Sequence, residues 1–461
     1  MGAPAPAAVA PPFPARAGVP EPPGPRGPLA GVRGFRAFHR DPARALADVH
    51  RRHGDVAQFR VGPAHLYLLS HPDLVRDVLV THHRNFIKSK ALQRARIILG
   101  EGLLTSEGDF HLRQRRLSQP AFHRDRVAAM GATMVRHAEA AGARWRPGVE
   151  MDAAREMNHL ALAIAGETLL GAGVEAEADA IGRALDDVLS LFKRLHNPFG
   201  ALLDRLPVPG TLRMRRARQR LDQTILRAIA QRRALGEERG DLLGLLLAAR
   251  DDEGDGGGMT DAQLRDELLT LFLAGHETTA NALAWTWHLL ALHPQAEARL
   301  HAEVDAALGA RPAAADDYAR LPYTRGVLAE AMRLYPPAWV VGREPLEDYE
   351  AGGTRIRAGT IVLMSQYVIH RDPRWWDAPA EFRPERWTPE LEASLPRFAY
   401  FPFGAGPRKC IGEGFAWMEG VLALATLARR WKLRHAPGAR VAAKPLITLR
   451  ATGLRMLPEA R

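Results

Sequence analysis

The chain has 461 residues, of which 46% are hydrophobic and 25% charged. These fractions are ordinary for a globular protein and exclude a wholly disordered or collagen-like chain. The formal charge of +11 comes mainly from arginine, because only six of the 63 basic residues are lysines. This excess fits either nucleic-acid binding or many ordinary surface arginines. The chain contains one cysteine, Cys410, which excludes disulfides, cysteine-rich zinc sites and iron–sulfur clusters.

The N-terminal segment, residues 1–28, contains ten prolines and lacks the continuous apolar stretch of a signal peptide. We expect it to form a flexible lead-in outside the fold, with residues 29–461 forming a single domain. No run of about 18 apolar residues occurs anywhere. We therefore expect a cytoplasmic protein without a membrane anchor.

The spacing of apolar residues predicts a mainly α fold with small β-sheets. A helix is predicted over residues 41–52 and a mostly helical region over residues 71–335. The predicted strands cover residues 56–61, 66–70 and 356–364, and a terminal hairpin covers residues 446–457. A further helix is predicted to follow Cys410. Strands thus lie near both ends of the sequence, and helices lie between them.

The longest predicted helix begins at Thr260 and ends near His293. Thr260 and Gln263 have the spacing of a capping box, which favours a helix start at this point. At 1.5 Å per residue such a helix is about 50 Å long, so it must cross most of the domain. Its middle is predicted to be buried.

Small and polar residues interrupt the middle of this helix. Gly275 weakens the helix locally, and Thr278 can bond backbone carbonyls and bend it. Glu277, if buried, requires compensation. Two interpretations stay open: Glu277 is paired to a base in a kinked buried helix, or Glu277 and Thr278 deliver protons at a reaction site.

The single thiol lies in a loop rich in glycine and proline, directly before a predicted helix. Helix N-termini stabilise a thiolate, and Arg408 and Lys409 add positive charge beside Cys410. No histidine of the sequence is an obvious local base for the thiol. The pattern therefore favours a metal-binding thiolate over a nucleophile.

The residues around the thiol carry a resemblance to a known family. Phe403, Gly406, Arg408, Cys410 and Gly412 match F-x-x-G-x-R-x-C-x-G, which resembles the haem-binding loop of the cytochrome P-450 superfamily. Three further segments resemble family motifs in the family's order: residues 274–279 (A-G-x-E-T-T), 330–333 (E-x-x-R) and 384–387 (P-E-R-F). The resemblance covers roughly residues 30–460.

The resemblance implies a helical prism with a minor strand-rich lobe and a haem b whose iron is bound by the Cys410 thiolate. It implies that Glu277 and Thr278 supply protons during oxygen activation. It also implies a buried ion-pair triad that supports the haem loop, formed by Glu330, Arg333 and Arg386. The haem contacts that it implies are His111, Arg115, Ala274, Arg343, Phe403, Arg408, Cys410 and Gly412.

One of these contacts departs from the family's pattern. His111 occupies the position where a W-x-x-x-R helix usually has tryptophan, with Arg115 as the arginine. Histidine can still donate a hydrogen bond to a haem carboxylate, but we expect its charge to depend on pH.

The implied activity is a monooxygenase that inserts one oxygen atom of O2 into a hydrophobic small molecule such as a terpene, fatty acid or steroid-like compound. By family position the substrate pocket would include Ile98, Leu103, Leu271, Phe272, Ala338, Trp339, Val340 and Thr452. Electrons would come from a ferredoxin or flavodoxin and its NAD(P)H-dependent reductase. Lys409, Arg113 and Arg116 would offer positive charge for docking that carrier.

Other functions remain possible at this point. A peroxide-driven relative usually lacks the acid–alcohol pair, and a haem-based sensor usually has an output domain. A nucleic-acid binder would rest on a run of arginines at positions 213, 215, 216, 218 and 220. That run more simply forms the solvated face of a helix that buries Leu221, Ile225 and Ile229. We therefore expect no nucleic-acid partner, and we expect a monomer.

Overall fold

The computed structural model describes residues 18–171, 209–235 and 240–461. Helices dominate these ranges, and the strands form small separate sheets. This confirms the predicted fold class.

The helices of the first part are α1 (Ala30–Arg40), α2 (Pro42–His53), α3 (Pro72–Arg76), α4 (Lys90–Arg94), α5 (Arg96–Leu99), α6 (Gly108–Ser118), α7 (Arg124–Ala129), α8 (Gly131–Arg144) and α9 (Ala153–Leu170). Those that follow are α10 (Pro209–Leu235), α11 (Leu242–Ala248), α12 (Asp261–Leu292), α13 (Pro294–Leu308), α14 (Pro322–Leu334), α15 (Gln366–Ile369), α16 (Pro389–Ser394) and α17 (Glu413–Ala428). The strands are β1 (Val56–Val61), β2 (Ala64–Leu69), β3 (Phe86–Lys88), β4 (Met151–Asp152), β5 (Val341–Pro345), β6 (Tyr349–Ala351), β7 (Thr354–Ile356), β8 (Ile361–Met364), β9 (Trp431–His435), β10 (Ala442–Pro445), β11 (Leu449–Thr452) and β12 (Arg455–Ala460).

Helix α12 is the predicted long helix, and it passes through the main core. Its capping box is present: the Gln263 N–H donates to Thr260 Oγ1 at 3.2 Å, and the Thr260 N–H donates to Gln263 Oε1 at 2.9 Å. Trp285 and Trp287 are fully buried in its second half, where α8, α9 and α17 contribute to the same core. The helix therefore fixes the position of every side chain on its middle turns.

The largest sheet brings distant segments together in the order β1-β2-β8-β5-β3. Strands β2 and β8 are parallel, and the other neighbours are antiparallel. The register of β3 with β5 sets Lys88 opposite Arg343, although 255 positions separate them in the chain. This pairing matters for the site described below.

The predicted C-terminal hairpin over residues 446–457 is wrong. Strand β11 pairs with β10, whereas β12 pairs with β9 and β4 in another sheet. Between β11 and β12, Gly453 has a φ of +70°, and a Cβ there would lie 2.3 Å from the Arg440 carbonyl oxygen. The chain changes sheets at this close contact, which a local sequence pattern cannot show.

The N-terminal prediction also needs correction where the structure describes the chain. Pro23 accepts a hydrogen bond from the Gln58 N–H at 2.9 Å, and Pro20 accepts one from the Arg355 N–H at 2.9 Å. Proline carbonyls in an extended segment are free to satisfy strand N–H groups in this way. Residues 20–23 therefore contact the fold, and residues 1–17 of the predicted lead-in lie outside the described residues.

Helix α10 settles the placement of the arginine run. Leu221, Ile225 and Ile229 are buried along one face. Arg215, Arg216, Arg218 and Arg220 are exposed, and the side chain of Arg213 lies outside the described residues. The run follows the solvated face of an amphipathic helix, as the simpler interpretation predicted.

Candidate functional site

A cavity of about 790 Å³ lies between the middle of α12 and the loop that contains Cys410. Its wall combines segments from most of the chain: α1, the loop after α5, α9, α12, β5 and the start of α17. Most of the wall is apolar. The polar groups are concentrated near the Cys410 loop, at α12 and at the β3–β5 edge.

The Cys410 loop is held in place by close backbone contacts. Gly406 has a φ of +65°, and a Cβ at this position would lie 1.9 Å from the Leu79 carbonyl oxygen. The Cys410 N–H donates to the Phe403 carbonyl oxygen at 2.9 Å, and the Phe403 ring packs on Trp417 with centroids 5.7 Å apart. Only glycine fits at position 406, so the motif glycine is a steric requirement of the loop.

The thiol faces the cavity just before α17. The side chain of Cys410 is accessible through the cavity. Burial raises the pKa of the thiol to about 11, and this outweighs the opposing effects of the Gly412 N–H, Arg115 and Lys409. In the protein alone, burial thus opposes the thiolate that the neighbouring positive charges favour, and a bound metal would lower the pKa of the thiol.

The opposite wall is the middle of α12. Ala274 is exposed although the residues before it are buried, because it faces the cavity with Gly275. Thr278 also faces the cavity, and its hydroxyl donates to the Ala274 carbonyl oxygen at 2.7 Å. The hydroxyl oxygen keeps its lone pairs toward the cavity side of the helix, so it can accept a hydrogen bond there.

Glu277 lies on another face of the helix. It is 3% exposed, and one of its carboxylate oxygens accepts hydrogen bonds from Thr448 Oγ1 and from Arg450 Nε, each at 2.6 Å. Glu277 is not part of the cavity wall in the described residues. The structure thus brings Thr278 to the cavity but pairs Glu277 with a base, as the first of the two open interpretations predicted.

Three predicted arginines meet at the cavity end nearest β5. Arg343 donates to the Gly342 carbonyl oxygen at 3.0 Å and has no carboxylate within ion-pair distance among the described residues. Burial and the neighbouring Arg408 lower the pKa of Arg343 to about 10. Arg408 donates to the Ser106 carbonyl oxygen at 2.7 Å and pairs with Glu107. Arg115 donates to the Lys409 carbonyl oxygen at 2.7 Å.

His111 joins this group from α6. It is 3% exposed, its Nδ1 lies 3.2 Å from Ser106 Oγ, and its Nε2 has no hydrogen-bond partner among the described residues. Burial, followed by the positive charges of Arg408 and Lys88, lowers the pKa of His111 to about 3. In the protein alone the expected pH dependence of its charge therefore moves to acid pH, and a carboxylate bound beside the ring would raise this pKa again.

Lys88 is a site residue that the sequence did not predict. Its Nζ donates to the carbonyl oxygens of Leu103 at 2.7 Å and Ser106 at 3.2 Å, and the side chain lines the cavity. Burial lowers the pKa of Lys88 well below its usual value. No local motif marks this lysine, because its role depends on the pairing of β3 with β5.

These groups fit the haem that the sequence resemblance implies. A porphyrin carries two carboxylates, and Arg343 offers buried N–H donors without a carboxylate partner in the described protein. Arg115 and the unpartnered Nε2 of His111 add donors at the same end. A neutral thiol at one wall and the small residues Ala274 and Gly275 at the other leave room for a flat group between them.

The predicted triad is present and buried. Glu330 and Arg333 are fully buried and form two hydrogen bonds, at 2.9 and 2.8 Å. Arg386 Nε donates to Glu330 at 3.0 Å, and so does Trp387 Nε1, which the sequence did not indicate. Arg333 also donates to three backbone carbonyl oxygens, those of His370, Pro379 and Glu381. The triad therefore connects α14 to the segment that precedes the Cys410 loop.

The structure places five of the eight residues predicted for the substrate pocket at this cavity. These five are Leu103, Leu271, Ala338, Trp339 and Val340. The other three do not line it: Ile98 and Phe272 are buried in a neighbouring core, and Thr452 bonds the Ala442 carbonyl oxygen on β10. Helical side chains three or four positions apart share a face, so Leu271 and its neighbour Phe272 point in different directions. Sequence analysis missed wall residues on α1, α9 and the β10–β11 turn, namely Phe35, Phe38, Thr168, Leu446 and Ile447.

The charges expected to dock an electron carrier are compensated within the chain. Arg116 forms two hydrogen bonds of 2.8 Å with Asp251, and Arg113 bonds Asp255 at 3.1 Å. Lys409 is paired with Glu413. Exposed charges already paired in this way contribute little net attraction. The positive charge expected at these three positions is present, and each of the three charges is paired with a carboxylate of the chain.

Two further observations concern all residues that the structure describes. No helix of the described residues is long and apolar enough to cross a membrane. In the same residues, no three side chains of the histidine, cysteine or carboxylate type cluster as a metal site.

Comparisons with known proteins agree with this geometry. The family model "Cytochrome P450" matches residues 22–451. The chain is 43% identical to cyclooctatin synthase of Streptomyces melanosporofaciens, over 94% of each chain. It is 41% identical to cyclooctat-9-en-7-ol 5-monooxygenase of the same organism, over 87% of each chain. It is 39% identical to pentalenene oxygenase of Streptomyces avermitilis, over 86% of this chain and 88% of the relative. The crystal structure of the cytochrome P450DA heme domain superposes with a TM-score of 0.86 at 27% identity, covering 96% of this chain and 98% of that one.

Proposed function

Since the chain belongs to the cytochrome P450 family and is a haem-thiolate monooxygenase, we propose that it hydroxylates or epoxidises a terpene. The observation that carries this proposal is the cavity of about 790 Å³ with a mainly apolar wall beside Ala274 and Thr278. Such a volume and lining suit a hydrocarbon skeleton with few polar groups. The names of three relatives refer to cyclooctatin, cyclooctat-9-en-7-ol and pentalenene, and this favours a terpene over a fatty acid or steroid.

In this proposal Cys410 would hold the haem iron through its sulfur, and the donors near β5 and the Cys410 loop would bind the haem carboxylates. Arg343 is the principal carboxylate partner, because it has no competing acid. Arg115, Arg408 and the neutral His111 add hydrogen bonds, while Glu107 holds Arg408 in position. Ala274, Phe403 and Gly412 form close apolar contacts. When bound, the haem supplies the chemistry that activates O2 for insertion into a C–H or C=C bond.

Thr278 moves a proton in this proposal. Hydroxylation consumes O2, two electrons and two protons, and it yields the alcohol and one water. Three hydroxyls of α12 line the cavity, those of Thr270, Thr278 and Thr279, and the bond of the Thr278 hydroxyl to the Ala274 carbonyl oxygen orients it. Glu277 acts behind it as a positioning residue, because Thr448 and Arg450 hold its carboxylate away from the cavity wall.

The two electrons require an external donor, and we propose a ferredoxin or flavodoxin with its NAD(P)H-dependent reductase. This carrier docks on a surface other than the one formed by Arg113 and Arg116, since both are paired with aspartates. The enzyme works as a monomer in the cytoplasm, where such carriers and NAD(P)H are available.

The experiment that tests the proposal is a spectral titration of the purified holoprotein with cyclic sesquiterpene and diterpene hydrocarbons, a fatty acid and a steroid. We expect the terpenes to displace the distal water and shift the haem absorption band, and we expect turnover with 18O2 to label the product. Tighter binding and turnover of the fatty acid or the steroid would contradict the terpene assignment.

A further inference from the structure

The loop between α5 and α6 is fastened to α12 along its length. The Glu101 N–H donates to Asp266 at 2.7 Å. Gly100 lies so close to α12 that an added Cβ would be 2.1 Å from the Asp266 carboxylate, and a Cβ on Gly102 would be 2.3 Å from Thr270 Oγ1. Both glycines are needed for this approach. The loop therefore lies directly on the helix that carries the reaction site.

The loop contributes Leu103 and Leu104 to the cavity wall, to which Leu271 of α12 also belongs. Both peptide groups of Leu103 are held by titratable side chains from other elements. Its N–H donates to Glu267 Oε2 at 3.0 Å, and its carbonyl oxygen accepts from Lys88 Nζ at 2.7 Å. A backbone fixed on both sides leaves the side chain little freedom of direction.

We infer that Glu267 is a positioning residue for substrate selectivity, which acts with Lys88 as a clamp that fixes Leu103 in the wall of the substrate cavity. Glu267 is 1% exposed and lies outside the cavity wall, so it acts through Leu103 and does not touch the substrate. A preorganised wall contributes to binding because no side chain has to be ordered when the ligand arrives. The inference rests on the proposed placement of haem and substrate in this cavity.

The chemistry of Glu267 is consistent with this role. Burial raises its pKa to about 8, so the neutral form predominates at pH 7 and the cost of burying a charge is reduced. Its other oxygen, Oε1, has no hydrogen-bond partner among the described residues. The one bond that Glu267 makes in the described protein is thus the bond to Leu103.

The clamp also connects the two ends of the site. Lys88 lies opposite Arg343 in the β3–β5 ladder, so the group that holds the Leu103 carbonyl is a neighbour of the predicted haem-carboxylate partner. Lys88 therefore contacts both the substrate wall and the cluster at the carboxylate end.

The test compares two ligands that bind the same iron, imidazole and 4-phenylimidazole, in spectral titrations of the holoprotein. The phenyl group makes 4-phenylimidazole extend further into the cavity than imidazole does. We expect Glu267→Leu to weaken 4-phenylimidazole binding by about three- to tenfold and to leave imidazole binding within about twofold. Glu267→Gln keeps an acceptor oxygen for the Leu103 N–H, so it should restore the wild-type ratio of the two dissociation constants.

The matched control is Glu297→Leu. Glu297 is also a buried carboxylate, 3% exposed, but it pairs with Arg434 at 2.7 Å away from the cavity. This variant should lower stability without changing the ratio. If Glu267→Leu does not fold, Lys88→Met tests the other half of the clamp and should change the ratio in the same direction. A folded Glu267→Leu protein with the wild-type ratio would overturn the inference. Failure of the wild-type holoprotein to bind either azole would instead overturn the proposed function.

Discussion

The buried triad gives the sharpest prediction about stability. Replacing Arg333 with methionine removes both hydrogen bonds to Glu330. It also leaves three backbone carbonyls without this donor, the buried one of His370 and the part-buried ones of Pro379 and Glu381. Glu330 keeps the bonds from Arg386 and Trp387, at 3.0 Å each. Breaking a fully buried ion pair costs about 3–5 kcal/mol. We expect the upper part of that range for Arg333→Met, because the lost carbonyl partners add to the lost ion pair.

Two matched variants show how the loss of unfolding free energy depends on the burial and the number of bonds of the replaced arginine. Arg386→Met leaves the two-bond pair of Glu330 and Arg333 intact, so it should cost about 1–3 kcal/mol. Arg325→Met removes a half-exposed pair with Glu392 and should cost about 1 kcal/mol or less. Urea unfolding of the holoproteins, followed by tryptophan fluorescence and haem absorbance, measures all three. The reasoning is refuted if Arg333→Met lies within about 1 kcal/mol of Arg325→Met, or if Arg386→Met is the more harmful change.

Three other outcomes are expected. Cys410→Ser should abolish the absorption band that reports sulfur ligation in the reduced carbon monoxide adduct; a retained band would show that another residue binds the iron. Thr278→Ala should leave haem content unchanged but divert electrons from product to hydrogen peroxide, and full coupling of NAD(P)H oxidation to product would contradict its role. His301 is 5% exposed, and burial lowers its pKa to about 4. Below pH 6.5 the unfolded state therefore binds more protons than the folded state, and the free energy of unfolding falls as the pH drops toward 4. His301→Gln should remove about 3 kcal/mol of this acid-induced loss of unfolding free energy. Acid-unfolding curves of the variant that coincide with those of the wild type between pH 6.5 and 4 would exclude His301 as its cause.

Local features of the molecule were determined by the sequence itself. The capping box at Thr260 and Gln263 starts α12 where the pattern predicted, because its two hydrogen bonds involve residues three positions apart. The Cys410 N–H likewise bonds the Phe403 carbonyl within one short loop, whereas the glycine at position 406 is required by the close approach of the distant Leu79 carbonyl. Local patterns of this kind have the same structural effect whatever segments surround them. They therefore allowed the fold class and the family to be predicted from the sequence.

Contacts between distant segments were decided only by the tertiary structure. Lys88 became part of the site because β3 pairs with β5, and Glu277 turned from the cavity because Thr448 and Arg450 lie beside it. The neutral state of His111 and the raised pKa of Cys410 come from burial, which depends on the packing of the whole domain. A one-dimensional pattern identifies which residues carry chemistry, whereas their charge, direction and partners are set by the segments that fold against them.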